Sequence, residues 1–211
     1  GWEVDASNLQ DIDRSLVWRT DAENNGNQNL YSLEGGDAFG VAMGELDGDD
    51  SSLELVVGTG SGKVYVFDGD TYETEWVSDP LDKLPVGIAI ADLNGDGDND
   101  LVVTTGKPAE PKVGGEGGEG YLYIFEKDGS DFEEVYQSDD IGAALGVTIA
   151  ELDGSNHPEI AIATGYKEVT DPTSGAADLY GYARIYGWDG NSYESEWTSS
   201  NLNEIAGAIA S

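Results

Sequence analysis

The chain has 211 residues, with 43 Asp+Glu against 9 Lys+Arg and a formal net charge of −34. Such a charge repels phosphate backbones and anionic lipid surfaces, which excludes nucleic-acid binding and direct membrane insertion as functions. With no cysteine there is no disulfide and no thiol chemistry, and no apolar stretch approaches the ~18 residues of a membrane-spanning helix.

Acidic chains poor in aromatics are often disordered. Here five Trp, eleven Tyr and regular apolar runs supply a core instead. A folded chain so acidic repels itself unless salt screens it, and the screening length falls to ~3 Å near 1 M salt. A halophilic source is therefore expected, with an ordinary acidic secreted protein as the alternative. The first residues show no signal-peptide pattern, so the expectation is a mature form or an internal piece.

In chain order, Trp2–Val4 and residues 15–21, which include Trp18, resemble the third and fourth strands of a unit that then repeats. A long connection, 22–38, leads to the first full copy. Its opening strand, Phe39-Gly40-Val41-Ala42-Met43-Gly44, runs into Glu45-Leu46-Asp47-Gly48-Asp49. The second copy opens at Val86-Gly87 and runs into Asp92-Leu93-Asn94-Gly95-Asp96. The third opens at Leu145-Gly146 and runs into Glu151-Leu152-Asp153-Gly154-Ser155, and a fourth begins at Ala206-Gly207. After each acidic turn comes an apolar second strand: Leu53–Thr59, Asp100–Thr105 and Pro158–Thr164. The third strand follows as Val64–Phe67, Leu122–Phe125 and Ala183–Tyr186. Asp-Gly hairpin signals stand at Asp68-Gly69, Asp128-Gly129 and Asp189-Gly190. The fourth strand carries Trp76, Tyr136 or Trp197.

Gly40, Gly87, Gly146 and Gly207 mark periods of 47, 59 and 61 residues. Four short strands repeated at that spacing predict an all-β protein, a β-propeller of four-stranded antiparallel blades. About three full blades are expected, at 39–85, 86–144 and 145–204, with a partial blade at 1–38 and the start of another at 205–211. An immunoglobulin-like sandwich would use similar strands without repeating itself. The chain opens on third and fourth strands and closes on a first strand, which suggests a section of a longer propeller.

The densest chemistry lies in Asp92-Leu93-Asn94-Gly95-Asp96-Gly97-Asp98-Asn99-Asp100. Side-chain oxygens fall at its first, third, fifth and ninth positions, with Gly97 at the sixth and the Asp98 carbonyl available at the seventh. Ca²⁺ takes six to eight oxygens at ~2.3–2.6 Å, and alternate residues of a tight loop supply them. The arrangement is not an EF-hand, because Val103 holds the twelfth position and a strand follows. A plain Asp/Asn/Gly surface turn is the alternative, but so many like charges in nine residues repel one another unless a cation lies between them. The other two copies are degenerate. Glu45, Asp47, Asp49 and Glu54 keep the ligand order with one additional residue before the last acid. Glu151, Asp153, Ser155, His157 and Glu159 keep the spacing with Ser155 at the centre, and His157 is expected to offer its carbonyl rather than act as a base.

On these residues the chain resembles the FG-GAP repeats of integrin α-subunit propellers and the related VCBS repeats of microbial surface proteins. Phe39-Gly40 opens one copy, and Thr105-Gly106-Lys107-Pro108 stands where the family has Gly-Ala-Pro. Loop 92–100 fits the family's D-x-[DN]-x-D-G-x-x-D pattern. The resemblance implies Ca²⁺ as cofactor, ligand roles for Asp92, Asn94, Asp96, Asp98 and Asp100, and an extracellular or cell-surface setting. Glu45, Asp50, Glu151 and Ser155 depart from the pattern.

In an antiparallel blade the acidic turns share one end, and the expected long connections 22–38, 107–120 and 166–182 share the other. Tyr31, Tyr166, Tyr180 and Tyr182 on that end are expected to contact a protein or glycan partner, with 114–120 read as a solvated spacer. Unpaired terminal strands also offer pairing with a neighbouring copy. No catalytic constellation is visible, so the expectation is a non-enzymatic module for adhesion, binding or surface assembly. The alternative is a propeller domain of a secreted polysaccharide-degrading enzyme, since paired carboxylates can cleave glycosides.

Overall fold

The computed structural model describes residues 38–46, 48, 52–106, 118–129, 131–171 and 176–203. Within them lie three four-stranded antiparallel sheets, each in simple meander order. Blade I contains β1 (Ala38–Gly44), β2 (Glu54–Thr59), β3 (Val64–Phe67) and β4 (Thr74–Val77). Blade II contains β5 (Pro85–Ala91), β6 (Asp100–Thr105), β7 (Leu122–Asp128) and β8 (Asp131–Gln137). Blade III contains β9 (Ala143–Ala150), β10 (Glu159–Asp171), β11 (Ala176–Trp188) and β12 (Tyr193–Thr198). The two partial blades expected at the chain ends lie outside the described residues.

Burial explains why each second strand is an unbroken apolar run. β6 is covered on both faces, and Leu101, Val102 and Val103 are all fully buried. One face, with Leu101, Val103, Tyr123 and Phe125, packs on Leu46, Val56, Val64 and Val66 of blade I. The other, with Val102, Leu122 and Ile124, packs on Ile160, Ile162 and Tyr186 of blade III. Each side chain buried this way contributes about 1.5–3 kcal/mol. The first strands run side by side, β1 against β5 and β5 against β9, so the blades converge there as in a propeller.

Small residues are required where blades converge. At Gly58 a Cβ would meet the Pro85 carbonyl oxygen at 2.5 Å, so only a bare backbone lets β5 approach β2. Bulges recur in all three sheets. The first and second strands slip register near Ala38/Val41, Pro85/Gly87 and Ala163/Thr164. The third and fourth slip at Val66/Phe67, Ile124/Phe125 and Ile185/Tyr186. Each slip adds twist. A serine then ends every fourth strand: the amides of Ser78, Ser138 and Ser199 each donate at 2.9 Å to the carbonyl of Val64, Leu122 or Ala183. Their hydroxyls accept the amides of the same three residues.

The 166–182 connection was expected to be a long loop. It is a hairpin extension instead: β10 and β11 have 13 residues each and stay in register from Ile160↔Tyr186 to Val169↔Ala177, slipping by one residue before Asp171↔Ala176. Alternating residues around Tyr166 and Tyr180 carry the ladder beyond the blade. Residues 107–117 and 172–175 lie outside the described residues.

Candidate metal centre

Each first strand runs straight into its acidic turn, and the last acid of the turn opens the second strand. Ala91 pairs with Asp100, Ala150 with Glu159 and Gly44 with Glu54. The additional residue in the first loop is therefore absorbed inside the turn, and Glu54 sits where Asp100 and Glu159 sit. All three of these acids are buried.

One hydrogen-bond frame recurs. The closing acid accepts the amide of the turn's leucine: Leu93 N to Asp100 Oδ2 at 2.9 Å, Leu152 N to Glu159 Oε2 at 2.6 Å, and Leu46 N to Glu54 Oε2. The opening acid accepts amides from inside the turn. Asp92 takes Gly95 N at 2.7 Å and Gly97 N at 3.0 Å, and Glu151 takes Gly154 N at 2.6 Å and Asn156 N at 3.0 Å. Glu45 takes Gly48 N at 2.6 Å. Between them run short Asx-type links: Asp96 N to Asn94 Oδ1, Asp98 N to Asp96 Oδ1, Ser155 N to Asp153 Oδ1 and His157 N to Ser155 Oγ. Gly97, at φ 98°, and Asn156, at φ 71°, occupy the sixth position in left-handed conformations. The frame thus brings carboxylate oxygens of each turn's opening and closing acids toward the turn's own backbone amides.

In loop 151–159, the carboxylates of Glu151, Asp153 and Glu159 offer oxygens within 4.8 Å of one another. Among the described residues this is the one acidic trio so closely gathered, although its sequence is degenerate. Ser155 at the centre donates its hydroxyl to the His157 carbonyl at 3.0 Å, which leaves that oxygen a second lone pair. In loop 92–100 the third position is an amide rather than an acid, and Asn94 turns its Nδ2 toward Asp96 Oδ2 at 3.1 Å and Glu126 Oε1 at 3.2 Å. Asp47 and Asp49 lie outside the described residues.

Burial sets the charge state of the acid that closes loop 92–100. Burial, followed by the charges of Glu126, Asp96 and Asp92, pushes Asp100 up to about 7, against the lowering effect of the Leu93 amide. Tyr193 is also pushed up, by burial first and then by Asp100 and Glu126. A divalent cation among these oxygens inverts that logic, because it favours the charged carboxylates that now repel one another. The donor set is wholly oxygen, which suits a hard cation such as Ca²⁺ and not a soft one.

Sequence reading missed Glu126 on β7 and Tyr193 on β12. Tyr193 Oη donates to Glu126 Oε1 at 3.4 Å, tying the loop of blade II to blade III. Glu126 does not repeat, since Asp68 and Gly187 stand at its place in the other copies. The Tyr193 position does, as Tyr72 and Phe132, four residues after the Asp of each Asp-Gly turn, so an aromatic there was a readable signal. The loops also touch their neighbours. Asn99 Nδ2 donates to the Glu45 carbonyl at 2.8 Å, and a Cβ on Gly95 would meet His157 Nε2 at 3.0 Å. The three turns thus form a contiguous acidic row along one end of the blades.

The tyrosines expected at the other end are brought together in part. Tyr166 and Tyr180 pair across the hairpin with stacked rings, 4.6 Å between centroids and 13° between planes. The Arg184 guanidinium lies 5.3 Å from the Tyr182 ring centroid. Tyr31 lies outside the described residues.

Meandering four-stranded sheets that converge on their first strands and carry an acidic turn after each define a β-propeller-like repeat protein. More particularly, residues 85–125, covering β5, the 92–100 loop, β6 and the start of β7, match the family model described as FG-GAP repeat. Residues 85–125 thus form an FG-GAP repeat within an all-β, β-propeller-like chain. No curated protein matches the sequence. Among the described residues, no helix is long and apolar enough to cross a membrane.

Proposed function

We propose that this chain is a non-enzymatic, calcium-binding propeller module of an extracellular or cell-surface protein, which presents its opposite end to a protein or glycan partner. The carrying observation is the hydrogen-bond frame shared by the acidic turns, which gathers oxygen donors at equivalent places in each blade. At the central loop Asp92, Asn94, Asp96, Asp98 and Asp100 hold the ion. At the third Glu151, Asp153 and Glu159 do so, and at the first Glu45 and Glu54 take part. The ion supplies positive charge that lets buried carboxylates stay ionised, and so locks each first strand to its second. That stiffens the end of the module away from the partner face.

Partner recognition falls to the β10–β11 hairpin and the connections beside it, where tyrosines supply rigid amphipathic surface. Terbium replaces calcium on oxygen ligands, and Tyr193, hydrogen-bonded to Glu126, is placed to sensitise its emission. The test is terbium luminescence with calcium competition, loop by loop. Asp92→Asn/Asp96→Asn is expected to abolish the Tyr193-sensitised component, and Glu151→Gln/Asp153→Asn to leave it. Luminescence unchanged by both pairs would refute the assignment.

A further inference from the structure

Between the rims of blades I and II lies a cavity of about 440 Å³, within the ~300–1,000 Å³ of small-ligand sites. It is away from the acidic turns, beside the Ser78–Lys83 connection. Its apolar wall is aromatic: the Trp76 ring stands 5.5 Å from Phe125 and 5.1 Å from Phe132, in edge and tilted arrangements. Its polar wall is acidic, with Asp79, Asp82 and Glu134, and among the described residues no basic side chain lines it. The polar wall is also held in place. Gln137 Nε2 donates to Tyr123 Oη at 2.9 Å and to Asp82 Oδ2 at 3.2 Å, while the Asp82 amide donates to Tyr123 Oη at 3.3 Å. Burial, and then Asp82, push the Glu134 carboxyl above its ordinary value.

The repeat supplies an internal comparison. The amides of Ser138 and Ser199 bond the carbonyls of Leu122 and Ala183, which makes Tyr123 and Arg184 equivalent residues, one position further on. Tyr123 faces blade I as Arg184 faces blade II, on the sides of Phe125 and Tyr186. Their cross-strand partners, Gln137 and Thr198, are equivalent too. At this position of blade III, therefore, the chain places its own guanidinium, bonded to Thr164 and Thr198. Between blades I and II the same place holds carboxylates and aromatic faces with no cation among the lining residues.

We propose that the cavity between blades I and II binds a guanidinium group, such as an arginine side chain of a partner protein or a free guanidino compound. The planar head lies against Trp76 by cation–π attraction and its donors meet Asp82 and Glu134, a pairing that suits guanidinium better than ammonium. This goes beyond the calcium reading and does not depend on it.

The experiment follows the Trp76 indole N–H, assigned through Trp76→Phe, by ¹⁵N-edited NMR in saturating calcium and about 1 M salt, which screens diffuse attraction to an acidic surface. Agmatine and an acetyl-Gly-Arg-Gly amide are titrated, with the citrulline peptide as the neutral counterpart. Saturable one-to-one binding of the guanidinium probes is expected, and at least about tenfold weaker binding of the citrulline peptide. Asp82→Asn/Glu134→Gln is expected to weaken binding at least tenfold, whereas Glu194→Gln/Glu196→Gln, which removes equal charge from β12, leaves it within twofold. Tyr123→Arg, which copies blade III, is expected to block binding by filling the cavity. Tighter binding of the peptide than of agmatine assigns the site to a partner's arginine, and equal binding assigns it to a small guanidino compound. Citrulline binding as tight as arginine, or equal losses in the two carboxylate pairs, would overturn the proposal. Because the calcium loops are untouched in these variants, either reading can fail alone.

Discussion

Asp100→Asn separates the two roles of the central loop. The closing acid is 2% exposed, and its pKa rises from 3.8 to about 7 through burial and the charges of Glu126, Asp96 and Asp92. A carboxyl whose folded pKa is raised costs nothing below its unfolded pKa. The cost grows as pH climbs from about 4 to 7 and is complete above 7. At ~1.36 kcal/mol per pKa unit the ceiling is about 4 kcal/mol, and discounting for solvent screening brings it to about 2 kcal/mol. Asparagine keeps an oxygen for the Leu93 amide and removes the charge. In chelator at pH 8 the variant is expected to be more stable than the parent by about 2 kcal/mol, or about 4–8 °C in melting temperature for a domain of this size. Near pH 4 the two should coincide. In saturating calcium the order should reverse, because the parent gains about 2.7 kcal/mol at a hundredfold excess over Kd and the variant does not. Differential scanning calorimetry across pH, with and without calcium, reads all of this. If Asp100→Asn is destabilising in chelator at pH 8 by the amount seen in calcium, the carboxyl is an ordinary hydrogen-bond acceptor and the electrostatic reasoning is wrong.

Other perturbations test the fold and its environment. Gly58→Ala drives a Cβ to 2.5 Å from the Pro85 carbonyl oxygen and is expected to cost about 1–3 kcal/mol in chemical denaturation; a neutral result would mean the blades are not packed as described. Trp76→Ala, which empties the rim between blades I and II, should cost about 3–5 kcal/mol. Trp197→Ala, at the equivalent place in blade III but 54% exposed, should cost less than about 1 kcal/mol, and equal losses would contradict the burial difference. A chain with net charge −34 should gain stability in chelator as KCl rises toward molar concentrations, and a flat salt series would sink the halophilic expectation.

Much of this architecture is legible in the residues. The runs Leu101-Val102-Val103 and Leu122-Tyr123-Ile124-Phe125 read as buried strands because they are covered on two faces, and the Asp-Gly turns mark where they reverse. The acidic turns are legible as well, since alternate oxygens around glycine have few other uses. The β10–β11 extension was not. Tyr166 to Tyr182 contains glycine, proline and clustered polar residues that read as loop, and only the pairing of Tyr166 with Tyr180 turns them into strands. Glu126 was hidden for another reason, because it belongs to one copy, and Tyr193, although its aromatic position recurs as Tyr72 and Phe132, joins the site through folding alone. Nor could pattern reveal that, among the described residues, the degenerate turn is the one that gathers three acids, Glu151, Asp153 and Glu159, within 4.8 Å.

The central claim, that the acidic turns are calcium sites, is tested most directly by isothermal titration of Ca²⁺ into chelator-stripped protein, with Mg²⁺ as the comparison. Saturable calcium binding at more than one site, lost from the central loop in Asp92→Asn/Asp96→Asn and matched by a rise in melting temperature, is the expected result. Calcium heats no different from those of Mg²⁺, non-saturating and without any gain in stability, would contradict it.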